Sequence, residues 1–250
     1  MVRWGIASLI LLLAQPVGAT AAELSFFCTD ALASAVRELV PEFERNTGHK
    51  VKVTLANAGT IAARLEQGES PDLAIVLPPA WDRLKDAGRI DPTTRIIIGK
   101  VGLGAFVKRG AQKPDVSTPE AFKQTLLTAR KLAVRDPAQR SPVGTYMLAL
   151  FDRLMISDVV KPKLMLTAEP PYEEIVRGDA DLGFSTLAEI ASEPRAELAG
   201  PLPGPLQTCN VFTTAIPVGN SQREVTNDFI RFLMTENARQ VFQAKGLDLP

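Results

Sequence analysis

The stretch LANAGTIAARLEQGESPDLAIV, residues 55–76, decides the fold of this chain. β-Forming residues end at Asn57, a helical pattern begins within the turn 57–60, and Gly68 ends that helix. The apolar run DLAIVL (72–77) comes next, and such a run is typical of a strand in a sheet with both faces covered. A strand, a helix and a second strand in this order predict an α/β sheet.

The same alternation continues along the chain and predicts a largely parallel sheet with flanking helices. Further strands are predicted at LSFF (24–27), VKVTLA (51–56), VGLGAFVK (101–108), KLAVRDP (131–137), ADLGFST (180–186) and VFTTAIPV (211–218). Helices are predicted from about Asp30 to Gly48, at 60–67, and within PAWDRLKDAGRID (79–91), STPEAFKQTLLTAR (117–130) and SPVGTYMLALFDRLM (141–155).

Three segments carry more specific expectations. Pro41 lies inside the first helical pattern and should kink or shorten that helix. The proline-rich segment 192–208 is predicted to be an extended surface connection. The apolar positions between Val225 and Phe242 predict one amphipathic helix at the carboxyl end.

The amino terminus predicts a secretory signal peptide over residues 1–21. Arg3 supplies a basic start, GIASLILLLA (5–14) a short apolar core, and ATA (19–21) the small residues before a cleavage site. A membrane anchor would need roughly 20 apolar residues, and Pro16 and Gly18 interrupt the run too early. We therefore expect a periplasmic protein without membrane insertion after signal cleavage.

Length and charge narrow the class of protein. A chain of 250 residues, 46% of them apolar, can bury a sizeable core and is long enough to divide into two lobes. Its 28 basic and 28 acidic residues balance, and no basic stripe is present to neutralise a phosphate backbone. Nucleic acid is therefore not expected as a partner.

The two cysteines, Cys28 and Cys209, leave two possibilities open. Exported proteins are found in oxidising compartments, where disulfides are stable. A disulfide between these two distant residues would close a long loop. Alternatively, both are small buried apolar residues. Their spacing does not suit a metal site.

The chain lacks the familiar signatures of catalysis. Its one histidine, His49, lies in a predicted surface turn, and no GxSxG, HExxH or phosphate-binding loop motif is present. Asp30 and Asp136 could serve as a general acid and base, but a helix cap and a turn explain them more simply. The sequence therefore predicts a protein that is not an enzyme, with no catalytic residue, metal site or cofactor.

Three turns, 28–31, 57–60 and 140–144, are predicted to meet at the carboxyl edge of the sheet, where such folds bind ligands. Gly59 allows close approach, and the amides of Thr60 and Ile61 are expected to be free in the first turn of the helix. After Pro142, the amides of Val143 and Gly144 are expected to be free in the same way. The amides of residues 58–60 and 143–144 are expected to contribute most to binding. With the helix dipole, these turns predict a site for a small anion.

The order of these segments resembles that of the periplasmic molybdate-binding proteins over essentially the whole mature chain. The similarity is carried by LVPEFERNTGHKVKV (39–53), AGTIAARLEQGESPDLAIV (58–76), AWDRLKDAGRID (80–91), LAVRDPAQRSPVGTY (132–146) and ADLGF (180–184). The resemblance implies a two-lobed type II periplasmic-binding-protein fold and an ABC importer whose permease complex lies in the inner membrane.

The same resemblance implies where the lobes divide. Two strands, near 99–108 and 208–216, would cross between them. The first lobe would comprise 22–99 and 211–250, and the second lobe 100–210. An oxyanion would be enclosed between the lobes, held by hydroxyls and backbone amides without a counter-charge.

Residue by residue, the resemblance implies a ligand site in which the family's usual hydroxyl donors are absent. Two serines of the family are replaced by Ala31 and Ala58, and a tyrosine by Thr186. Val143 would donate its amide, and Ala168 would lie at a further contact.

Nearby polar residues could replace the lost donors. Thr29, Asn57 and Thr60 are close enough in sequence to do so, and Arg140 could offset the charge of Asp30. Molybdate or tungstate is the expected ligand. Another small anion or organic acid, or a role as a periplasmic sensor or partner-binding module, remains the alternative.

Overall fold

The structure is a computed structural model that describes residues 21–249. The predicted signal peptide, residues 1–21, lies almost wholly outside the described residues. None of the helices within 21–249 is long and apolar enough to span a membrane.

Within the described residues, nine strands form one mixed sheet. They are β1 (Glu23–Thr29), β2 (Lys50–Ala56), β3 (Leu73–Val76), β4 (Ile97–Lys108), β5 (Leu132–Arg135), β6 (Leu164–Thr167), β7 (Leu182–Thr186), β8 (Ala196–Pro201) and β9 (Cys209–Ala215). The order is β2-β1-β3-β9-β4-β7-β5-β6, and β8 pairs with β4 outside this path. The pairs of β1 with β2 and β3, and of β5 with β6 and β7, are parallel.

Helices follow most of the strands and pack on the sheet, as predicted. They are α1 (Ala33–Thr47), α2 (Ala58–Glu66), α3 (Pro78–Asp86), α4 (Pro119–Thr128), α5 (Pro142–Arg153), α6 (Ser157–Val160), α7 (Tyr172–Arg177), α8 (Leu187–Ser192), α9 (Arg223–Leu233) and α10 (Glu236–Ala244).

Strand β4 divides the sheet into two halves. Its first part, from Ile97 to Gly102, pairs with β9, and its second part pairs with β7 and β8. β4 and β9 are therefore the two predicted crossing strands. We call the half with β1, β2 and β3 the first lobe and the half with β5, β6 and β7 the second lobe. The residue at which each lobe ends stays a prediction.

Each lobe has its own aromatic core. In the first, Phe43 packs on Phe229 with ring centroids 4.9 Å apart, beneath the sheet residue Phe26. In the second, Phe122 and Phe151 both contact Phe184 edge-on. Burial of apolar side chains on both faces explains why the strands read as continuous apolar runs.

The structure corrects two predictions about helices. Pro41 does not shorten α1, which continues to Thr47 with five buried apolar residues packed on the sheet, and a kink at Pro41 stays a prediction. The carboxyl-terminal helix is not continuous but divides into α9 and α10 at Thr235, whose side chain caps α10 by accepting from the Ala238 amide.

The segment 192–208 is not a simple surface connection. It contains β8, which pairs with β4 and covers part of the second lobe, and Leu202 and Leu206 after it are buried. Of the prolines that suggested a connection, Pro194 precedes the strand, and Pro201, Pro203 and Pro205 lie at its last residue and beyond it.

The cysteines do not form a disulfide. Cys28 is buried on β1 and Cys209 is exposed on β9, so only one of them is a buried apolar residue. Burial raises the pKa of the Cys28 thiol, and the neighbouring Asp30 carboxylate raises it further. Cys28 is therefore a packing residue with an unreactive thiol.

Candidate ligand-binding site

A narrow cleft lies between the two lobes, at the edge where the three predicted turns meet, and its free space is only about 30 Å³. Sites that bind small molecules usually enclose roughly 300–1,000 Å³, so the lobes must move apart to admit a ligand larger than a water molecule. The first lobe lines it with Thr29, Asp30, Ala31, Asn57 and Ala58, and the second lobe with Arg135, Ser141, Val143, Ser185, Thr186 and Glu189 among others.

The turn after β1 does not use Asp30 as a helix cap, contrary to the prediction. Thr29 holds the position before a short 3-10 turn that leads into α1, and no side chain caps it. The Asp30 carboxylate instead reaches across the cleft and accepts a hydrogen bond from Arg135 Nη1 at 3.2 Å. The first turn therefore brings a negative charge to the cleft and pairs it with the other lobe.

The turn 57–60 leaves only some of the predicted amides free. Asn57 caps α2, and its Oδ1 accepts from the Thr60 amide at 2.9 Å. The Ile61 amide donates to the Asn57 carbonyl, so the amides of Thr60 and Ile61 are not free, contrary to the prediction. The amides of Ala58 and Gly59, which were also predicted to bind, donate to no residue within 21–249.

Gly59 is required for contact between the lobes. A Cβ at this position would overlap the carbonyl oxygen of Arg140 in the second lobe. Beside it, Asn57 Nδ2 donates to the Gln139 carbonyl at 2.9 Å. The second turn is therefore both a helix start and a docking point for the opposite lobe.

The turn 140–144 follows the same plan with one difference from the prediction. Ser141 is buried and caps α5, its Oγ accepting from the Gly144 amide at 3.0 Å. The Gly144 amide is therefore occupied, whereas the Val143 amide donates to no described residue. A Cβ at Gly144 would overlap the Arg135 carbonyl oxygen, so this glycine packs the helix against β5.

Thr186 lies in the cleft, but its hydroxyl is already committed. Thr186 Oγ1 donates to Glu189 Oε2 at 2.6 Å, in a capping box at the start of α8. Ser185 Oγ donates to the same carboxylate oxygen at 2.8 Å. The second lobe therefore presents Glu189 as a second, hydrogen-bonded negative charge.

Arg135 is the main residue that the sequence analysis missed. It ends β5, its side chain is only 12% exposed, and it is the one basic side chain among the described residues that line the cleft. Besides Asp30, it donates from Nη2 to Glu169 at 3.1 Å and from Nε to the Ala168 carbonyl at 3.1 Å. A basic residue at the carboxyl end of a predicted strand was the available signal.

Two predicted site residues therefore act behind the cleft or outside it. Ala168 does not line the cleft, and its carbonyl orients Arg135. Arg140 is exposed, in a left-handed conformation at φ 57°, and does not offset the Asp30 charge, because Arg135 does.

The remaining predicted site residues fall into two groups. The first lines the cleft and comprises Thr29, Ala31, Asn57, Ala58, Val143 and Thr186. The second stands beside it in the first turns of the helices and comprises Gly59, Thr60 and Gly144. Contact of either group with a ligand stays a prediction.

Residues considered for catalysis or metal binding are separated. Asp136 caps a short turn by accepting from the Ala138 amide at 2.8 Å, as predicted. His49 Nδ1 accepts from the Ala22 amide, at the far end of β1. Across residues 21–249, no group of three or more His, Cys, Asp or Glu side chains is arranged to hold a metal ion.

The sequence pattern of the family described as "bacterial extracellular solute-binding protein" matches residues 24–248. The chain belongs to this family. By that description, its members are extracellular proteins that bind solutes.

Two relatives in sequence cover nearly the whole chain. An aconitate isomerase of a Pseudomonas species is 29% identical in an alignment that covers 97% of this chain and 92% of the relative. The molybdate-binding protein ModA of Azotobacter vinelandii is 21% identical, with 92% of each chain covered.

Solved structures show the same fold. The periplasmic molybdate-binding protein of Azotobacter vinelandii superposes with a TM-score of 0.74 at 19% identity, covering 91% of this chain and 99% of that one. PEB3 of Campylobacter jejuni, solved with L-phospholactate bound, gives a TM-score of 0.67 at 14% identity, covering 91% and 100%. The predicted resemblance to molybdate-binding proteins and the type II periplasmic-binding-protein fold are both confirmed.

Proposed function

We propose that this protein captures a small organic acid with more than one carboxylate in the cleft between its lobes. It acts in the periplasm, after removal of the signal peptide, and delivers the acid to an ABC permease. It does so as a binding protein and not as an enzyme. The observation that carries the proposal is the Arg135 guanidinium, largely buried in the cleft.

Arginine suits a carboxylate because its planar N–H donors match two carboxylate oxygens at once. Only some of these donors are used by Asp30, Glu169 and Ala168. The amides of Ala58 and Gly59 and that of Val143 offer a second anion site at two helix starts. An acid with two separated carboxylates would engage both.

The relatives support this ligand class in part. The Pseudomonas relative is named for aconitate, a small acid with several carboxylates. PEB3 was solved with a ligand that also carries a carboxylate.

Molybdate or tungstate is the rival ligand, supported by the likeness to ModA. Against it, Ala31 and Ala58 offer no hydroxyl, and the Thr186 hydroxyl donates to Glu189. Each hydrogen bond to a charged group contributes about 1.5–3 kcal/mol, so the loss of several donors weakens oxyanion binding strongly.

A thermal unfolding screen tests the proposal. The mature protein, starting at residue 22, is heated with trans-aconitate, cis-aconitate, citrate, malate, molybdate, tungstate, sulfate and phosphate. A ligand at 100 times its Kd stabilises by about 2.7 kcal/mol, a shift of several degrees. We expect a shift with at least one of the acids. A shift with molybdate or tungstate alone would overturn the proposal.

Isomerisation of an unsaturated acid is the second candidate function. It is favoured by the similarity to an aconitate isomerase along nearly the whole chain and by two carboxylates in the cleft, Asp30 and Glu189. One carboxylate can remove a proton from the methylene carbon of the acid, and a carboxylic acid can return a proton to the far carbon of the double bond, which moves the double bond by one position. Proton NMR of trans-aconitate incubated with the protein decides between the two. Binding without a change in the spectrum supports capture, and appearance of the cis isomer supports turnover.

A further inference from the structure

One ion pair joins the two lobes across the cleft. Asp30 belongs to the first lobe and Arg135 to the second, and Asp30 Oδ2 lies 3.2 Å from Arg135 Nη1. The side chains are 28% and 12% exposed, so solvent screens this pair less than a surface pair. The carboxylate therefore holds the guanidinium that the proposed ligand needs.

The carboxylates near Arg135 outnumber its single positive charge. Glu169 of the second lobe accepts a second hydrogen bond from the same guanidinium, and Glu189 lines the cleft nearby. An anion that enters the cleft thus meets one positive side chain, Arg135, and two negative ones, Asp30 and Glu189. Unless one carboxylate withdraws, the approaching charge is repelled.

The backbone amides that face the cleft have no competing acceptor among the described residues. No described residue accepts from the amides of Ala58, Gly59 or Val143, so a ligand can engage them without displacing anything. The backbone amides are therefore free to bind a ligand, whereas the Arg135 guanidinium is already paired with Asp30.

We propose that Asp30 is a specificity-determining residue that competes with the bound anion for Arg135. This inference rests on the proposed function, because it concerns the same cleft. A compact oxyanion bound on the amides should have low affinity, because it lies near the Asp30 carboxylate but is too small to contact Arg135 as well. A longer acid places one carboxylate on the free amides and uses the other to replace Asp30 on the guanidinium. Asp30 thereby lowers affinity for every anion and disfavours compact ones most.

The test compares Asp30→Asn with Glu169→Gln. Both changes remove one negative charge from the same guanidinium, but Glu169 is 81% exposed and belongs to the same lobe as Arg135. Isothermal titration with trans-aconitate should give about tenfold tighter binding for Asp30→Asn, as expected when a charge-assisted hydrogen bond no longer competes. Glu169→Gln should change affinity by less than about twofold, as for other exposed pairs.

Equal or weaker binding by Asp30→Asn, with wild-type binding intact, overturns the inference and leaves the proposed function standing. Failure of every variant to bind any of the screened acids overturns the proposed function instead.

Discussion

The two lobes contribute different chemistry to the cleft. The first lobe supplies small side chains, Ala31 and Ala58, with free backbone amides and a single charge at Asp30. The second lobe supplies a largely buried guanidinium, buried hydroxyls and the Glu189 carboxylate. A fold shared with molybdate-binding proteins thus carries a cleft whose second half is charged. Under the proposed function, the class of ligand depends mainly on the Arg135 side chain at the end of β5.

Removing the contact between the lobes should have the largest effect. In Gly59→Ala, the added Cβ meets the Arg140 carbonyl, so the lobes cannot close on a ligand. We expect affinity for the acid identified in the screen to fall more than about 100-fold, with the unfolding temperature nearly unchanged. Gly204→Ala is the matched control, because an added Cβ there meets nothing within 4 Å. Unchanged affinity in Gly59→Ala would show that closure does not use this contact.

Loss of the charge in the second lobe should have the next largest effect. Arg135→Gln removes the guanidinium and should weaken binding of the acid by about 10- to 100-fold. Arg37→Gln, on the exposed face of α1, is the control for charge alone. If Arg135→Gln binds the acid as tightly as the wild type, the second lobe does not bind the acid through Arg135.

Restoring hydroxyls to the first lobe should shift the ligand preference. The double variant Ala31→Ser with Ala58→Ser adds donors at two buried positions that face the cleft. Molybdate binding, measured by titration calorimetry, should gain about tenfold or more from one new charge-assisted hydrogen bond. Ala63→Ser, on the same helix but not in the cleft lining, should give no gain. Absence of any gain in the double variant would mean that an oxyanion does not occupy this half.

The smallest expected effect concerns the cap of α5. Ser141→Ala should lower the free energy of unfolding by about 1–2 kcal/mol, measured by urea denaturation, because the Gly144 amide loses its acceptor. Thr118→Ala removes the equivalent cap of α4, away from the cleft, and should lower it by a similar amount. Only Ser141→Ala should also weaken ligand binding, since it releases the turn that holds the Val143 amide. Equal effects on binding would argue against that role.

Much of the architecture was predictable from local patterns. The run of β-formers, the turn at Asn57 and the helix that ends at Gly68 are where the periodicity placed them. Strand β3 reads as a continuous apolar run because it is buried on both faces. β8 escaped prediction because prolines and glycines surround it, and its stability comes from pairing with β4. The local sequence pattern of a segment does not show whether another strand is available to pair with it.

The site was predictable in position but not in detail. The three turns do meet, yet the amides of Thr60 and Gly144, both expected to be free, are occupied, because the side chains of Asn57 and Ser141 cap their own helices. That error was avoidable, since asparagine at a helix start is a common cap. The pairing of Asp30 with Arg135 was not predictable, because 105 residues separate the partners and only the closed fold brings them together.

The proposed role of Arg135 is tested most directly by a crystal structure of the complex with the acid that the thermal screen identifies. We expect one ligand carboxylate on the Arg135 guanidinium, at about 2.7–2.9 Å, and another on the amides of Ala58, Gly59 or Val143. Asp30 should then no longer pair with Arg135. A ligand held only by the amides, with Asp30 still paired to Arg135, would show that Arg135 does not bind the acid.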